Sequence, residues 1–185
     1  MKKLLLSSIT IMTLSLSAQA SGWEILPVLN DNHKLNPAVA IIGGSLQGDE
    51  SGDKSEAFYG LEISMDCPLL KVPTGKIRQQ ANLTSYDNDG IKMNEFNLNP
   101  HYQISLSDST SFGVGPSFGV AQVELEDEDD TIFTYGVGAS VRTNLTNEMF
   151  IGAEARYTMT SDAEFFGEKD DFNNYKFFVK LGYQF

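Results

Sequence analysis

The segment Tyr175–Phe185 reads YKFFVKLGYQF and decides the fold of this chain. Its alternate residues form an apolar set and a mostly polar or small set: Tyr175, Phe177, Val179, Leu181, Tyr183 and Phe185 against Lys176, Phe178, Lys180, Gly182 and Gln184. Successive side chains of a strand point to opposite faces, so this period of two predicts a strand with one apolar face. Aromatic residues near both ends of that face are typical of a membrane β-barrel strand, whose outer face contacts lipid.

The amino terminus predicts export. Lys2 and Lys3 precede an apolar core over residues 4–16, and Ala18-Gln19-Ala20 has the small-x-small form of a cleavage site. The apolar run is too short for a membrane helix, which needs about 20 residues. No Cys follows it, as a lipoprotein signal would require. We therefore expect residues 1–20 to be a cleaved signal peptide.

The composition of the mature chain excludes several classes of protein. Of the 13 Lys and Arg, two lie in the predicted signal peptide, which leaves 11 against 25 Asp and Glu and a net charge of −14. Such a charge argues against nucleic-acid binding, which needs a positive surface. The single Cys67 cannot form an internal disulfide, and we expect it to be a small apolar residue at a strand end. About 165 residues suit one domain.

Eight segments of the chain alternate as the last one does. They span residues 38–48, 56–67, 76–86, 91–105, 110–125, 131–145, 148–160 and 173–185. Each is long enough to cross a bilayer as a tilted strand of about 9–11 residues. An even number of strands closes the sheet and leaves no bare edge in lipid. We therefore predict an all-β fold: an eight-stranded antiparallel up-and-down transmembrane β-barrel over residues 38–185.

The connections between these segments differ at the two rims. One rim has residues 68–75, 106–109 and 146–147, and the other has 49–55, 87–90, 126–130 and 161–172. The second rim contains most of the acidic residues: Asp49, Glu50, Asp53, Asp87, Asp89, Glu126, Asp127, Glu128, Asp129, Asp130, Asp162, Glu164, Glu168, Asp170 and Asp171. Short periplasmic turns and longer outer loops are the expected asymmetry, so we expect the acidic loops to lie outside the cell.

Three features leave alternatives open. A soluble barrel such as a lipocalin would turn the apolar face inward around a ligand, although the interior of eight strands is barely wide enough for side chains. Pro100 and Pro116 fall inside predicted strands, where each removes a ladder donor, so we expect a bulge, a local break, or strands that pair only beyond them. Residues 21–37 form a lead-in segment whose Trp23 to Leu29 portion is either a short strand or a periplasmic strap. Trp23 is interpreted as an interface anchor.

The signal peptide, the alternation and the Gly182-Tyr183-Gln184-Phe185 ending resemble the small outer-membrane β-barrel family that includes the OmpA transmembrane domain, OmpX and the opacity proteins. The resemblance covers the whole mature chain and implies the outer membrane of a Gram-negative bacterium. It also implies that Tyr183 and Phe185 form the insertion signal read by the barrel-insertion machinery. No peptidoglycan-binding domain follows Phe185, so we expect no periplasmic tether.

Charged side chains fall on the face predicted to line the lumen: Glu62, Asp66, Arg78, Arg142, Glu154, Arg156, Lys176 and Lys180. Opposed charges inside a narrow barrel must pair, because burying them alone is costly. They are interpreted as a salt-bridge network that fills the lumen, or alternatively as a gate in which exchanging ion pairs open a water path. Glu154 with Arg142 and Arg156 is the predicted centre, because these residues fall on adjacent strands.

Catalytic and metal sites have little support in the sequence. His101 shares its predicted inward face with Asn97, Asn99 and Gln103, and the residue two positions after it is Gln103. The His-x-Ser pair of barrels that deacylate lipid A is therefore missing, and no Ser-His-Asp set can be argued. No transition-metal spacing is present, and no cofactor is expected. Asp127, Asp129 and Asp130 are a weak candidate for Ca²⁺ or Mg²⁺ that would bridge the loops to anionic lipopolysaccharide.

These observations predict a small, monomeric, non-enzymatic outer-membrane barrel with a structural role and acidic loops on its outer surface. Its expected partners are outer-membrane lipid, lipopolysaccharide and the insertion machinery. The alternative functions are a narrow porin-like channel through the charged lumen and, with less support, a lipid-modifying enzyme. The fold itself is compatible with all three.

Overall fold

The computed structural model describes residues 22–49, 55–88, 90–125, 128–165 and 168–185 and shows one closed barrel. Its strands are β1 Ala38–Gly48, β2 Ser55–Asp66, β3 Lys76–Asn88, β4 Ile91–Ser105, β5 Thr110–Leu125, β6 Glu128–Asn144, β7 Met149–Thr160 and β8 Asn174–Gln184. Each strand pairs antiparallel with the next, and β8 pairs with β1. The predicted eight-stranded up-and-down barrel is confirmed.

The described part of the chain contains no helix that is long and apolar enough to cross a membrane. Its one helical element is the 3₁₀ turn Pro27–Leu29. The predicted signal peptide at 1–20 and Glu50, Asp53, Asp89, Glu126 and Asp127 of the predicted outer loops lie outside the described residues.

The two faces of the wall differ as the alternation predicts. On β6, Ile132 is 1% exposed and its neighbour Phe133 is 71% exposed, and the same contrast recurs around the barrel. The outward face carries the aromatic and aliphatic residues, whereas the inward face carries most of the amides, hydroxyls and charges. An apolar exterior and a polar interior are the arrangement that lipid requires. The soluble barrel, with its apolar face inward, is therefore wrong.

Both prolines interrupt a ladder without shifting it. The β4–β5 ladder runs from Ile91↔Leu125 to Leu98↔Phe118 and resumes in the same register at Tyr102↔Val114. Pro100 and Pro116 would face each other within this gap, where neither can donate a hydrogen bond. Each still pairs on its other side, Pro100 with Gln79 and Pro116 with Val137. The result is the local break, which is one of the three arrangements that the sequence predicts, and the ladder continues on both sides of it without a bulge.

The polarity of the wall inverts towards the outer rim. On the exterior, the ladder row Leu83, Phe96, Val120 and Phe133 is followed by the polar row Ser85, Asn94, Gln122 and Thr131. On the interior the change is opposite, because Met93, Ala121, Val123 and Ile132 form a buried cluster with Ala163. The outer ends of β3–β6 therefore have the pattern of a water-soluble sheet around its own apolar core. The sequence predicts a polar lumen along its whole length and gives no indication of this change.

A small extension, called the foot, lies at the end of the barrel that holds the chain termini. It consists of residues 22–37 and the β2–β3 turn 67–75. Glu24 and Ile25 pair with Lys71 and Leu70 of the β2–β3 turn in a two-residue ladder. Residues Pro27–Leu29 follow as the 3₁₀ turn. The lead-in segment therefore contains the short strand Glu24–Ile25, and the N–H groups of Leu26 and Val28 donate to the Leu69 and Pro68 carbonyls of the same turn.

The outer connection between β3 and β4 is tighter than predicted. Asn88 pairs with Ile91, which leaves only residues 89 and 90 between the strands. Gly90 has a φ of 85°, a conformation that favours glycine. A two-residue loop of this kind is a hairpin turn. The predicted loop 87–90 is therefore shorter than expected, because residues 87 and 88 belong to the β3–β4 ladder.

Candidate functional site: the charged lumen

The end of the lumen nearer the chain termini is built around Arg78 of β3. Its guanidinium Nη1 contacts Asp66 Oδ1 at 3.1 Å, and Nη2 donates to the Asn36 carbonyl at 3.2 Å and to Ser64 Oγ at 3.1 Å. Lys76 adds a second contact to Asp66 at 3.2 Å. Arg78 is 1% exposed, so its charge is held by a full set of acceptors rather than by water. This group closes the barrel at the end that holds the chain termini.

The middle of the lumen is organised by Glu154 of β7. Its Oε1 accepts from Arg156 Nη2 at 2.5 Å, and its Oε2 lies 2.7 Å from Lys180 Nζ. Lys180 also donates to Glu62 and to Gln80 Oε1, the latter at 3.3 Å. These side chains are buried, so the carboxylates of Glu62 and Glu154 and the cations of Arg156 and Lys180 form one buried cluster. Removing one of them would leave another charge without its partner.

A third pair lies nearer the outer rim. Lys176 of β8 donates to Glu95 Oε2 of β4, and both side chains are buried. Glu95 is absent from the predicted network, although it shares the inward parity of Asn97, Asn99 and His101 on the same strand. That parity is the signal that could have identified it.

Arg142 does not join the centre of the network. Its guanidinium lies over the Phe150 ring, 3.5 Å from the centroid, and donates to Gln184 Oε1 at 2.6 Å. Among the described residues it has no carboxylate partner. The prediction that Arg142 pairs with Glu154 is therefore wrong. Lys180 takes that position instead, because it reaches Glu154 from the strand on the other side of β7.

His101 has two neighbours that the sequence analysis does not predict. Its Nδ1 lies 2.9 Å from Ser140 Oγ, and its Nε2 lies 3.9 Å from Glu154 Oε1. The order Ser–His–Glu resembles a hydrolytic set. However, His101 is fully buried, Ser140 is 6% exposed, and Glu154 is already engaged by Arg156 and Lys180. Ser140 lines a small cavity of about 10 Å³, the space of one water. It also lines, with Glu154, a larger open groove of about 580 Å³ whose other walls include Phe112 and Phe177.

Apolar side chains close the lumen at two levels, the first of which lies between Lys180 and the Lys176–Glu95 pair. Phe58 and Phe178 meet edge to face with centroids 5.7 Å apart, and Ile42 packs with them. Farther out is the cluster of Met93, Ala121, Val123, Ile132 and Ala163, against which Leu46, Tyr86, Ile91, Leu125 and Phe172 pack. Ala163 comes from the short hairpin of Ala163–Phe165 and Glu168–Asp170, so part of an outer loop is built into this closure.

The described residues of the acidic outer rim do not form a recognisable metal centre. Glu124 and Asp129 face each other across the β5–β6 ladder, so like charges are adjacent there. No group of three or more His, Cys, Asp or Glu side chains within the described ranges is arranged to hold a metal ion. Of the three weak candidates, Asp129 and Asp130 lie on β6, and Asp127 is outside the described residues.

The comparison with protein families now has a structural basis. A model of the outer membrane protein beta-barrel domain matches residues 7–185. The chain belongs to this family. The match covers nearly the whole sequence and agrees with the closed barrel, so the resemblance drawn from the carboxy-terminal strand is confirmed.

Solved structures of outer-membrane barrels share the fold. The N-terminal β-barrel domain of Pseudomonas aeruginosa OprF matches with a TM-score of 0.51 and 12% identity, over 82% of this chain and 100% of that one. Ail, the attachment invasion locus protein of Yersinia pestis, gives 0.53 and 14%, over 83% and 100%. Neisserial surface protein A gives 0.52 and 18%, over 80% and 95%. A search of curated proteins finds no match. At these identities the likeness shows the fold alone.

Proposed function

We propose that this family member is a sealed, monomeric, non-enzymatic outer-membrane barrel. Its work is structural: it stabilises the outer membrane and presents an acidic surface to the outside. The observation that carries this proposal is the double closure of the lumen, by ion pairs within the membrane and by an apolar cluster above it. An ion that crossed the barrel would have to displace both the ion-paired side chains and the apolar cluster.

The two barriers do not share a means of opening. Exchange of Lys180 between Glu62 and Glu154, both of which it contacts, would rearrange the charges without removing any. Such exchange leaves Met93, Val123 and Ile132 in place, and these side chains are at most 6% exposed. A gate made of ion pairs alone would therefore still face a dry constriction. This favours the structural role over the porin-like channel.

Conductance in planar bilayers tests the proposal. Correct insertion is first checked by the heat-dependent shift in gel mobility. We expect no single-channel steps from the native protein, and none from Glu154→Ala or Ile132→Ser alone. Steady steps from the native protein, with a size that changes in Glu154→Ala or Arg142→Ala, would establish the channel instead.

The proposal that the protein is not an enzyme rests on the burial of the candidate catalytic residues and not on their chemical type. Ser140, His101 and Glu154 are close together, but their side chains are buried, with at most 6% of each residue exposed to a lipid or peptide. We expect a serine-directed fluorophosphonate to leave Ser140 unlabelled and lipid A to be unaltered after overexpression. Labelling that Ser140→Ala abolishes would make the protein a hydrolase.

Export and insertion complete the proposal, with a signal peptide cleaved after Ala20 and an insertion signal at Tyr183 and Phe185. Both aromatic side chains are exposed on the outer wall, with ring centroids 5.2 Å apart. We expect Phe185→Ala to lower the amount of folded protein in cells but to leave refolding in detergent unchanged. Equal losses in cells and in detergent would show a role in stability and not in recognition by the machinery.

A further inference from the structure

The foot, defined as residues 22–37 together with the turn 67–75, has an exposed apolar surface. The Leu26 N–H donates to the Leu69 carbonyl at 2.8 Å, so the strap and the turn form one continuous unit. Its exposed large apolar side chains are 41–79% accessible: Trp23, Ile25, Leu26, Val28, Leu29 and Leu69. Only Pro27 and Val72 are buried apolar residues within the foot. A water-soluble unit of this size would expose fewer large apolar side chains and bury more.

This surface continues the lipid-facing wall. Ile63 on β2 and Ile77 on β3 occupy the outward positions at the lower ends of those strands. The Cys67 N–H donates to the Ile77 carbonyl at 2.8 Å, and Leu69 follows two residues later. The apolar surface of the foot therefore begins where the lipid-facing band of the same two strands ends.

The charges of the foot are balanced, unlike those of the outer rim. Lys71 pairs with Glu24 at 3.2 Å, while Lys34 and Asp31 offset each other in the rest of the segment. A neutral surface with Trp and Leu at its margin suits the boundary between head groups and acyl chains, where Trp is enriched.

We propose that the foot is a membrane-surface anchor in the periplasmic leaflet of the outer membrane. Trp23, Leu26, Leu29 and Leu69 enter the layer of phospholipid between the head groups and the ends of the acyl chains. Because the foot is neutral, its attachment comes from apolar burial and does not require anionic lipid. The proposal goes beyond the sealed barrel, since a channel could carry the same anchor.

Trp23 is the single tryptophan of the chain and therefore reports on the foot alone. The full mature protein is refolded into phosphatidylcholine vesicles that contain lipids brominated at a shallow or a deep acyl position, with iodide on both sides of the membrane. We expect the brominated lipids to quench Trp23 fluorescence, the shallow position more than the deep one, and iodide to quench it little. Raised salt and added phosphatidylglycerol should leave these values unchanged.

Two substitutions make the test specific. Leu29→Asp places a charge on the most exposed apolar residue of the foot, and we expect it to lower lipid quenching by roughly half or more. Asn32→Asp adds the same charge to an exposed polar position and should have little effect. Quenching of native Trp23 by iodide but not by brominated lipid would overturn the proposal. So would a signal that depends on protein concentration and not on bromination, since a second copy would then cover the surface.

Discussion

Lys176 on β8 and Glu95 on β4 form an ion pair between strands that lie four places apart in either direction around the barrel. The pair therefore joins opposite walls across the full width of the lumen. Both side chains are buried, so water screens their attraction little. A contact of this kind resists flattening of the barrel as well as passage through it.

A double-mutant cycle on this pair should show strong coupling. We expect Glu95→Gln and Lys176→Met each to lower the free energy of unfolding by about 3–5 kcal/mol, because each leaves the other charge buried and unpaired. The double variant should lose less than the sum of the two, by on the order of 1–3 kcal/mol. Urea unfolding in detergent micelles, followed by circular dichroism, measures this. Additive losses would show that the two side chains do not interact.

Two arginines provide a matched comparison. Arg156 is buried against Glu154, and we expect Arg156→Met to cost about 3–5 kcal/mol of unfolding free energy. Arg142 lies over Phe150 and contacts Gln184 at the end of the barrel that holds the chain termini. Arg142→Met should therefore lower the free energy of unfolding by only about 1–2 kcal/mol. The same unfolding assay ranks them. The reverse order would return Arg142 to the centre of the network.

Adjacent glycines at the closing seam between β1 and β8 should respond differently to alanine. A Cβ at Gly44 would lie 2.2 Å from the Phe177 carbonyl oxygen and 2.4 Å from Phe178 Cβ, whereas a Cβ at Gly43 meets nothing within 4 Å. We expect Gly44→Ala to destabilise by about 1–3 kcal/mol through overpacking. Gly43→Ala should be neutral or stabilising by up to about 1 kcal/mol. Thermal loss of the unboiled gel band distinguishes them, and equal melting temperatures would contradict the geometry.

The foot should loosen only in acid. The Asn30 amide donates to Glu24 at 3.1 Å and the Lys71 ammonium at 3.2 Å, and both contacts lower the pKa of this carboxyl below its ordinary 4.5. A lowered pKa in the folded state stabilises above the unfolded pKa, and that stabilisation is lost as pH falls through the folded value. In micelles, the Leu26 amide resonance should therefore stay constant from neutral pH to about 5 and shift only in more acid solution.

Glu24→Gln is the control for this behaviour. Glutamine does not titrate, so the Leu26 resonance should lose its dependence on acid pH. A midpoint in the native protein at or above the ordinary carboxyl value would show that the two contacts do not favour the charged form of Glu24.

The sequence was sufficient to predict the wall of the barrel but not the contents of its lumen. Alternation assigns each residue to a face because a strand has a fixed period, so the inward positions of Arg78, Glu154 and Lys180 followed directly. Which charges meet depends on side-chain length and on competing partners. Arg142 and Lys180 both lie diagonally across from Glu154, one on each flanking strand, and only the Phe150 ring and Gln184 explain why Arg142 turns away.

The sequence did not predict the apolar cluster that closes the lumen, and the reason is different. Met93, Val123 and Ile132 lie on segments that alternate throughout, and alternation alone does not show where along a strand the apolar residues change from the outward to the inward face. Only the register of neighbouring strands places these three residues in one cluster. The Ser140–His101 contact likewise needs two strands that are not neighbours in the sheet, β4 and β6.

The inversion of polarity along β3–β6 also determines how deep the protein sits. If the barrel moved outward by two residues, the row with Phe96 and Phe133 would enter water. If it moved inward by the same amount, the row with Asn94 and Gln122 would enter hydrocarbon. Both displacements are unfavourable, so the change of polarity along these strands fixes the depth of the barrel in the membrane. Loops attached above this change of polarity are held at a constant height over the membrane surface, whatever the thickness of the surrounding bilayer.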